Sequence, residues 1–188
     1  MYNQEAHTQS IIQPNTKAGA PSLMELDLAE NKLTSENFSP SAFESNRQLE
    51  ILYLSTNKLT TFPVGLPSSL IQLSLAFNSI NTITSRSLSS LNRLEVLDLD
   101  RNRLTDDSFD SMPKLGSLKR ITLNYNRITR IPSGLSPSLL YLTASHNQIR
   151  FIRNRFYLEK QELYASCPTF RTSVATDWTP KVKSLYLC

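Results

Sequence analysis

Apolar residues recur along this chain in a fixed pattern, with an asparagine near the end of each unit. The pattern is eleven residues long, Leu-x-x-Leu-x-Leu-x-x-Asn-x-Leu, where x varies and isoleucine replaces some of the leucines. Its six copies begin at Leu23, Leu49, Leu70, Leu94, Leu118 and Leu139. The sixth copy also carries Ala144 where the others have the third leucine. Fixed spacing over six copies predicts a repeat architecture.

The central part of each copy has the period of a β-strand. Its two leucines therefore point to one side, and the residues beside and between them point to the other. A strand of three or four residues cannot bury its apolar side alone, but stacking successive strands gives a parallel sheet over a continuous core. The sequence thus predicts a leucine-rich-repeat solenoid over residues 22–152, with a curved parallel β-sheet on its concave face.

One asparagine occupies the ninth position of every copy. We expect its amide to satisfy backbone groups of its own turn and of the neighbouring turn, which would otherwise be buried without partners. The predicted ladder consists of Asn31, Asn57, Asn78, Asn102, Asn126 and Asn147.

The segments between the strands predict two kinds of return path on the convex side. Successive copies start 26, 21, 24, 24 and 21 residues apart. The short units carry prolines within residues 61–70 and 130–139, which excludes a helix and predicts extended segments there. The longer units supply bulky side chains for short turns or a helical turn. These side chains are Phe38, Phe43, Ile83, Leu88, Leu91, Phe109, Met112 and Leu115.

Both ends of the chain lie outside this pattern. Residues 1–21 form a polar leader, expected to be flexible, without the apolar stretch of a secretory signal. No segment is long and apolar enough for a membrane span. Residues 153–188 are predicted to form a divergent and incomplete C-terminal capping region, in which Val182-x-x-Leu185-x-Leu187 resembles the start of another strand.

The chain has two cysteines, Cys167 and Cys188, both near the C-terminus. Two thiolates are too few for a structural zinc site, and no histidine is close enough to complete one. From the residues alone, one terminal disulfide and two unrelated thiols remain open, and neither a metal nor a cofactor is expected.

The alternation of short and long repeats resembles that of the small leucine-rich repeat proteoglycans of the extracellular matrix. The residues that carry the resemblance are Phe62-Pro63-x-x-Leu66-Pro67-x-x-Leu70, at the return segment of a short unit. The resemblance implies secretion, binding of collagen and growth factors, and a disulfide between Cys167 and Cys188. Because the four-cysteine cluster that usually opens this family does not precede Leu23, we expect a truncated member.

Side chains on the expected concave face are candidates for ligand binding. Exposed aromatic residues often anchor protein interfaces, and charged residues beside them offer salt links to an elongated partner such as collagen. The predicted binding residues are Tyr53, Phe77, Asp98, Asp100, Arg101, Arg120, Tyr125 and Tyr141. The alternative is that these side chains pack against each other between strands.

Charge is distributed unevenly along the chain. Residues 1–100 hold 6 basic and 10 acidic side chains, a net −4, and residues 101–188 hold 14 and 6, a net +8. A polyanion such as a glycosaminoglycan would meet the C-terminal half, although a solvated basic loop is an equal alternative and no nucleic-acid-binding motif is present. The candidate residues are Arg127, Arg130, Arg150, Arg153 and Arg155.

Asn37 lies in the sequon Asn37-Phe38-Ser39 and is a candidate for N-glycosylation on the convex side. An enzyme is disfavoured because the chain lacks a phosphate loop, a metal-ligand cluster and a nucleophile elbow.

The closer alternative to a matrix protein is an intracellular leucine-rich-repeat adaptor, since the chain carries few cysteines and no signal sequence. A receptor ectodomain is a third possibility, which would need a membrane anchor. The state of the two cysteines separates the first two hypotheses, because a disulfide requires an oxidising compartment.

Overall fold

The computed structural model describes residues 22–110, 112–132 and 135–149, together with the backbone of two strands near the C-terminus. The polar leader and most of the predicted capping region therefore lie outside the described residues. Residues 22–149 form a solenoid in which each repeat contributes one short strand to a common sheet and one return segment to the opposite side.

Each of the six repeats forms its strand where the pattern places it. These strands are β1 (Glu25–Asp27), β2 (Ile51–Tyr53), β3 (Gln72–Ser74), β4 (Val96–Asp98), β5 (Arg120–Thr122) and β6 (Tyr141–Thr143). All neighbouring pairs are parallel and in the same register, so the middle leucine of each strand lies beside that of the next. The predicted leucine-rich-repeat solenoid is confirmed.

Two further strands extend the sheet beyond the six repeats. They are β7 (Leu163–Ala165) and β8 (Ser184–Leu187), and the strand order is β1-β2-β3-β4-β5-β6-β8-β7. Leu142 of β6 is the register partner of Leu185 in β8, so β8 continues the leucine pattern in phase next to β6. The predicted additional strand is confirmed. The position of β7 at the outer edge, beyond β8, was not predicted.

The core lies between the sheet and the return segments and consists of the patterned leucines. The leucines of the second to fifth repeats are fully buried, among them Leu52, Leu73 and Leu97. Burying one such side chain stabilises a fold by about 1.5–3 kcal/mol. The first repeat differs, because Leu23, Leu26 and Leu28 are only partly buried.

The return segments of the longer repeats contain the predicted helical turns. Helix α1 spans Ser85–Leu88, and two 3₁₀ turns span Ser35–Asn37 and Asp106–Phe109. Each turn follows a threonine, and the side chain three residues later accepts the N–H of that threonine. In α1 the N–H of Ser87 also donates to the Thr84 hydroxyl (3.2 Å), which completes a capping box. Phe38, Leu88 and Phe109 follow immediately after these bonds and pack against the core.

The return segment of the first short repeat is extended, as its prolines predict. Phe62 and Leu66 are buried along it, and Gly65 between them has a positive φ of 71°. A Cβ at Gly65 would lie 2.3 Å from the carbonyl oxygen of Pro40 in the preceding repeat. Glycine is therefore required both by the left-handed backbone and by the close approach of two return segments.

The asparagines form the predicted ladder. Asn102 shows its full set of bonds: its Nδ2 donates to the carbonyl oxygens of Leu75 (3.0 Å), Leu99 (3.1 Å) and Asp100 (3.2 Å), and its Oδ1 accepts the N–H of Ile80 (2.9 Å). Corresponding bonds link Asn57, Asn78, Asn126 and Asn147 to the repeat before each of them. The ladder therefore satisfies backbone groups of two turns at once.

A side-chain oxygen also joins the first and the fourth repeat, both of them long, to the short repeat that follows each. Ser35 Oγ accepts the N–H groups of Thr60 and Thr61, both at 2.9 Å. At the same position in the fourth repeat, Asp106 accepts the N–H groups of Thr129 (2.9 Å) and Arg130 (3.3 Å). These bonds connect return segments of unequal length.

Candidate binding surface: concave floor and rim

The residue immediately before each ladder asparagine adopts a left-handed backbone conformation. We call these six residues the rim: Glu30, Thr56, Phe77, Arg101, Tyr125 and His146, with φ between 53° and 57°. The first five donate their N–H to a carbonyl of the next repeat, at 2.8–3.0 Å. The chain therefore leaves each of the strands β1 to β6 by the same turn at its carboxyl end, whichever side chain the rim residue carries.

Four consecutive rim side chains form a continuous stack. The guanidinium carbon of Arg101 lies 5.0 Å from the ring centroid of Phe77 and 4.0 Å from that of Tyr125. Tyr125 in turn stacks on His146, with centroids 4.1 Å apart and ring planes at 10°. The stack remains open to solvent, since Phe77 is 54% and Tyr125 41% exposed.

Sequence reasoning selected three members of this stack as concave-face residues but not the stack itself. Phe77, Arg101 and Tyr125 lie together at the rim, beside the strands rather than on them. His146 was not among the predicted binding residues. Its place directly before a ladder asparagine is the sequence signal that could have identified it, because the other stack members share that place.

The concave floor consists of the solvent-facing side chains of the strands, together with the residue that lies two positions after the end of each strand. Its centre is a polar network around Asp98 in β4. One carboxylate oxygen of Asp98 accepts the Thr122 hydroxyl (2.6 Å) and the N–H of Asp100 (3.0 Å), and the other accepts the Ser74 hydroxyl (3.2 Å). The floor thus presents a carboxylate in a fixed position at the middle of the sheet.

Asp100, two residues after Asp98, adds a second carboxylate to the floor. It accepts the backbone N–H of Asn124 at 2.7 Å and the side-chain amide of Asn124 at 2.9 Å. Burial raises the pKa of Asp100 above its ordinary value of 3.8; the hydrogen bonds from Asn124 oppose this, and the negative charge of Asp98 adds to it. Neither carboxylate forms an ion pair with a described residue, so the centre of the floor is negatively charged and without a cationic partner in that part of the chain.

The remaining predicted floor residues lie on either side of this centre. Tyr53 lies on β2 and is half-buried. Arg120 on β5 lies with its guanidinium carbon 4.8 Å from the ring centroid of Tyr141 on β6. The predicted set is therefore divided by the structure into a floor group, Tyr53, Asp98, Asp100, Arg120 and Tyr141, and a rim group.

The predicted polyanion site lies only in part within the described residues. Arg127 is exposed, one position after a ladder asparagine. Arg130 lies 3.8 Å from a carboxylate oxygen of Asp106 and 3.7 Å from one of Asp110, so its charge is offset locally. Arg150, Arg153 and Arg155 lie outside the described residues, and the five arginines are not seen as one patch.

Of the other predicted sites, Asn37 lies at the end of the first 3₁₀ turn, where its Oδ1 accepts the N–H of Thr34 at 2.6 Å. Cys167 and Cys188 lie outside the described residues. Within the described ranges, no group of histidine, cysteine, aspartate and glutamate side chains could hold a metal ion. The described part of the chain also holds no helix with the length and apolar character of a membrane span.

Comparison with known proteins places this geometry in a family. The family model described as Leucine rich repeat matches residues 11–59 and 93–149. The chain is similar to Podocan-like protein 1 of Mus musculus, 40% identical over 81 residues, which covers 38% of this chain and 14% of that protein. It is likewise similar to Podocan of Mus musculus, 40% identical over 67 residues, covering 36% and 11%. The chain thus matches only a small share of the length of these relatives.

Two solved structures are similar to the whole arrangement. One is a chain of an octameric complex of Latrophilin 3, Unc5D and FLRT2, the last as its LRR part, with a TM-score of 0.64 and 30% identity over 70% of this chain and 41% of that one. The other is the leucine-rich repeat domain of APL1B, with a TM-score of 0.67, covering 99% and 49%. Its identity of 22% supports the fold alone.

Podocan and Podocan-like protein 1 are small leucine-rich repeat proteoglycans, so the resemblance predicted from the short proline-bearing repeats is confirmed. With its in-register strands, its complete asparagine ladder and a family model that matches more than half of its residues, the chain belongs to the leucine-rich repeat family.

Proposed function

We propose that this leucine-rich repeat protein-interaction module acts in the extracellular matrix and that its concave floor binds collagen or another extended matrix protein. The observation that carries the proposal is the pair of carboxylates at the centre of the floor, Asp98 and Asp100, held in place by hydrogen bonds and without a cationic partner in the described part of the chain. The similarity to matrix proteoglycans supports secretion.

The floor suits an elongated partner that supplies hydrogen-bond donors and positive charge. Because Thr122, Ser74 and Asn124 already fix the carboxylates, binding does not have to order these side chains, which lowers its entropic cost. A collagen triple helix is a rod of extended chains with a solvated backbone. Its basic side chains could pair with Asp98 and Asp100, while its apolar side chains cover Tyr53 and Tyr141 on either side.

The proposal does not require catalysis, and it assigns no catalytic residue, metal or cofactor. Binding of growth factors, which the family resemblance implies, and binding of glycosaminoglycans to the arginines from Arg127 onward stay predictions.

The test is binding of a triple-helical collagen peptide to the immobilised chain, measured by surface plasmon resonance. Asp98→Asn keeps an acceptor for Thr122 and for the N–H of Asp100 but removes the charge. We expect it to weaken binding about tenfold, because one charge-assisted contact of the interface is lost. Asp107→Asn is the matched control: Asp107 is an exposed acidic residue on the convex side, and binding should change less than about twofold.

The pH dependence of collagen binding is an independent test of the floor. Since the pKa of Asp100 is raised, this carboxylate begins to lose its charge at a higher pH than an ordinary aspartate. As the pH is lowered, collagen binding should therefore begin to weaken at a higher pH than the titration of an ordinary aspartate would produce. Equal affinities for the wild type and Asp98→Asn, or an equal loss in Asp107→Asn, would exclude the floor as the binding site.

A further inference from the structure

We propose that the rim from Phe77 to His146 is a second binding surface, which takes an extended acidic peptide with Arg101 as its central anion-binding side chain. This site lies outside the floor and requires a partner of the opposite charge. Its support is independent of the collagen proposal, because it rests on the stack and on the arginines beside it.

The first argument is the state of Arg101. Its guanidinium lies over both neighbouring rings, which restricts its motion and leaves the N–H donors at its edge available. Arg101 forms neither an ion pair nor a side-chain hydrogen bond with a residue of the described ranges. A guanidinium that is already ordered and still has donors to offer binds a carboxylate at little entropic cost.

The second argument is the charge around the stack. Two residues after each rim residue lies an outer column, whose members are Lys32, Lys58, Ser79, Arg103, Arg127 and Gln148. Arg103 and Arg127 are exposed, and neither is ion-paired with a described residue. The outer column contains no acidic residue, so the partner that complements this edge of the solenoid is anionic.

The third argument selects a peptide over a sulfated polysaccharide. Stacking covers both faces of the Tyr125 ring, but its edge and much of Phe77 remain exposed beside the guanidinium of Arg101. Leucine or proline side chains of a peptide can cover this apolar surface while its carboxylates reach the arginines, whereas a densely sulfated sugar chain supplies fewer apolar groups for it. The carboxylates of Asp98 and Asp100 on the adjacent floor also repel a dense polyanion more strongly than a peptide with spaced charges.

The length of the stack defines the length of peptide. Four rim residues span three strand spacings, roughly 14 Å, which an extended peptide covers with about four or five residues. Alternation of acidic and apolar side chains then brings carboxylates to one side and apolar groups to the rings, because successive side chains of an extended chain point to opposite sides.

The test is fluorescence anisotropy with a fluorescein-labelled ten-residue peptide of alternating glutamate and leucine. Arg101→Gln should weaken binding about tenfold, and Arg101→Lys about threefold, because lysine keeps the charge but not the planar stacking. The matched control is Arg93→Gln, an exposed arginine away from the rim, whose one ion pair with a described residue is a long one of 3.8 Å to Glu50. It should change binding less than about twofold. A peptide of alternating lysine and leucine should not bind.

A local readout separates direct binding from a change in folding. The chain has only two histidines, His7 and His146, so the ring resonances of His146 can be assigned with a single His7→Gln variant. Because His146 stacks on Tyr125, its ring resonances should shift when the glutamate–leucine peptide binds and should not shift with the lysine–leucine peptide.

Three results would overturn the rim proposal: Arg101→Gln binding the peptide as the wild type does, Arg93→Gln losing as much affinity as Arg101→Gln, or a heparin fragment binding the stack where the acidic peptide does not. The last result would assign the rim to a sulfated polysaccharide. Asp98→Asn removes a floor carboxylate that repels an anionic peptide, so it should weaken collagen binding without weakening peptide binding, and failure of the floor proposal and failure of the rim proposal are seen in different variants.

Discussion

The two sides of the same short strands follow different rules. On the buried side, leucine or isoleucine recurs at equivalent positions from repeat to repeat, and the side chains of the second to fifth repeats are fully buried. On the exposed side, the register partners Tyr53, Ser74, Asp98 and Thr122 are all polar but differ in size, shape and charge. The buried side is constrained by stacking of each repeat on the next, whereas the exposed side is free to carry recognition.

The asparagine ladder should distinguish a middle repeat from the first one. Asn102 makes four hydrogen bonds, two of them to the preceding repeat, whereas among the described residues Asn31 donates to Leu28 and Ala29 of its own turn alone. Asn102→Ala should lower the free energy of unfolding by about 4 kcal/mol because it leaves several buried backbone groups unpaired. Asn31→Ala should lower it by about 1 kcal/mol. Urea unfolding followed by far-UV circular dichroism measures both.

Equal losses in the two asparagine variants would mean that the bonds between repeats add nothing to those within a turn. Asn92→Ala is a control, since Asn92 is exposed and lies outside the ladder. Its free energy of unfolding should stay within about 0.5 kcal/mol of the wild type.

The difference between the buried and the exposed side of the strands also explains which features could be predicted from the sequence. The strands, the asparagine ladder and the buried Phe38, Leu88 and Phe109 follow from spacing and side-chain volume, which act within one repeat or between neighbours. The order of β8 before β7 could not be predicted, because leucine spacing does not say which of two segments pairs with β6.

The candidate binding surface was predicted less completely. The column positions of Phe77, Arg101 and Tyr125 could be assigned from the sequence, but their stacking depends on side-chain torsion angles that spacing does not determine. The pairing of Arg130 with Asp106 and Asp110 was missed for the same kind of reason. It depends on how a return segment folds back, and both carboxylates come from the repeat before.

Acid should weaken one junction between repeats. Burial alone would raise the pKa of Asp106, but hydrogen bonds from Thr129 and Arg130 and the positive charge of Arg130 together lower it below 3.8. A lowered pKa means that the stabilisation is fully present above the unfolded-state value and is lost as the pH falls through the lowered one. At pH 7, Asp106→Asn should therefore cost about 1 kcal/mol of unfolding free energy, and the difference from the wild type should shrink below pH 4.

Thermal unfolding from pH 7 to pH 3 measures this effect, with Asp107→Asn as the control. Asp107 is exposed in the same 3₁₀ turn and accepts no hydrogen bond from a described residue of the next repeat. A difference between wild type and Asp106→Asn that is independent of pH would contradict a role for the carboxylate charge.

The smallest expected effect is a gain in stability at the rim. Thr56 is β-branched and has a φ of 57°, a conformation that asparagine adopts more readily. Thr56→Asn should therefore raise the free energy of unfolding by about 0.5 kcal/mol. Thr61→Asn is the comparison, since Thr61 is exposed and lacks a positive φ. If both variants change stability alike, the left-handed conformation at Thr56 is not under strain.

The left-handed turn before each ladder asparagine has a consequence for how such a surface can change over time. Glutamate, threonine, phenylalanine, arginine, tyrosine and histidine all occupy it with φ within a few degrees, because the bonds of the ladder and of the next repeat impose the backbone. Each rim position can then accept different side chains, and successive positions are one repeat apart. A single substitution at the rim can alter binding specificity without a change in the backbone, and duplication of a repeat adds one side chain to the rim.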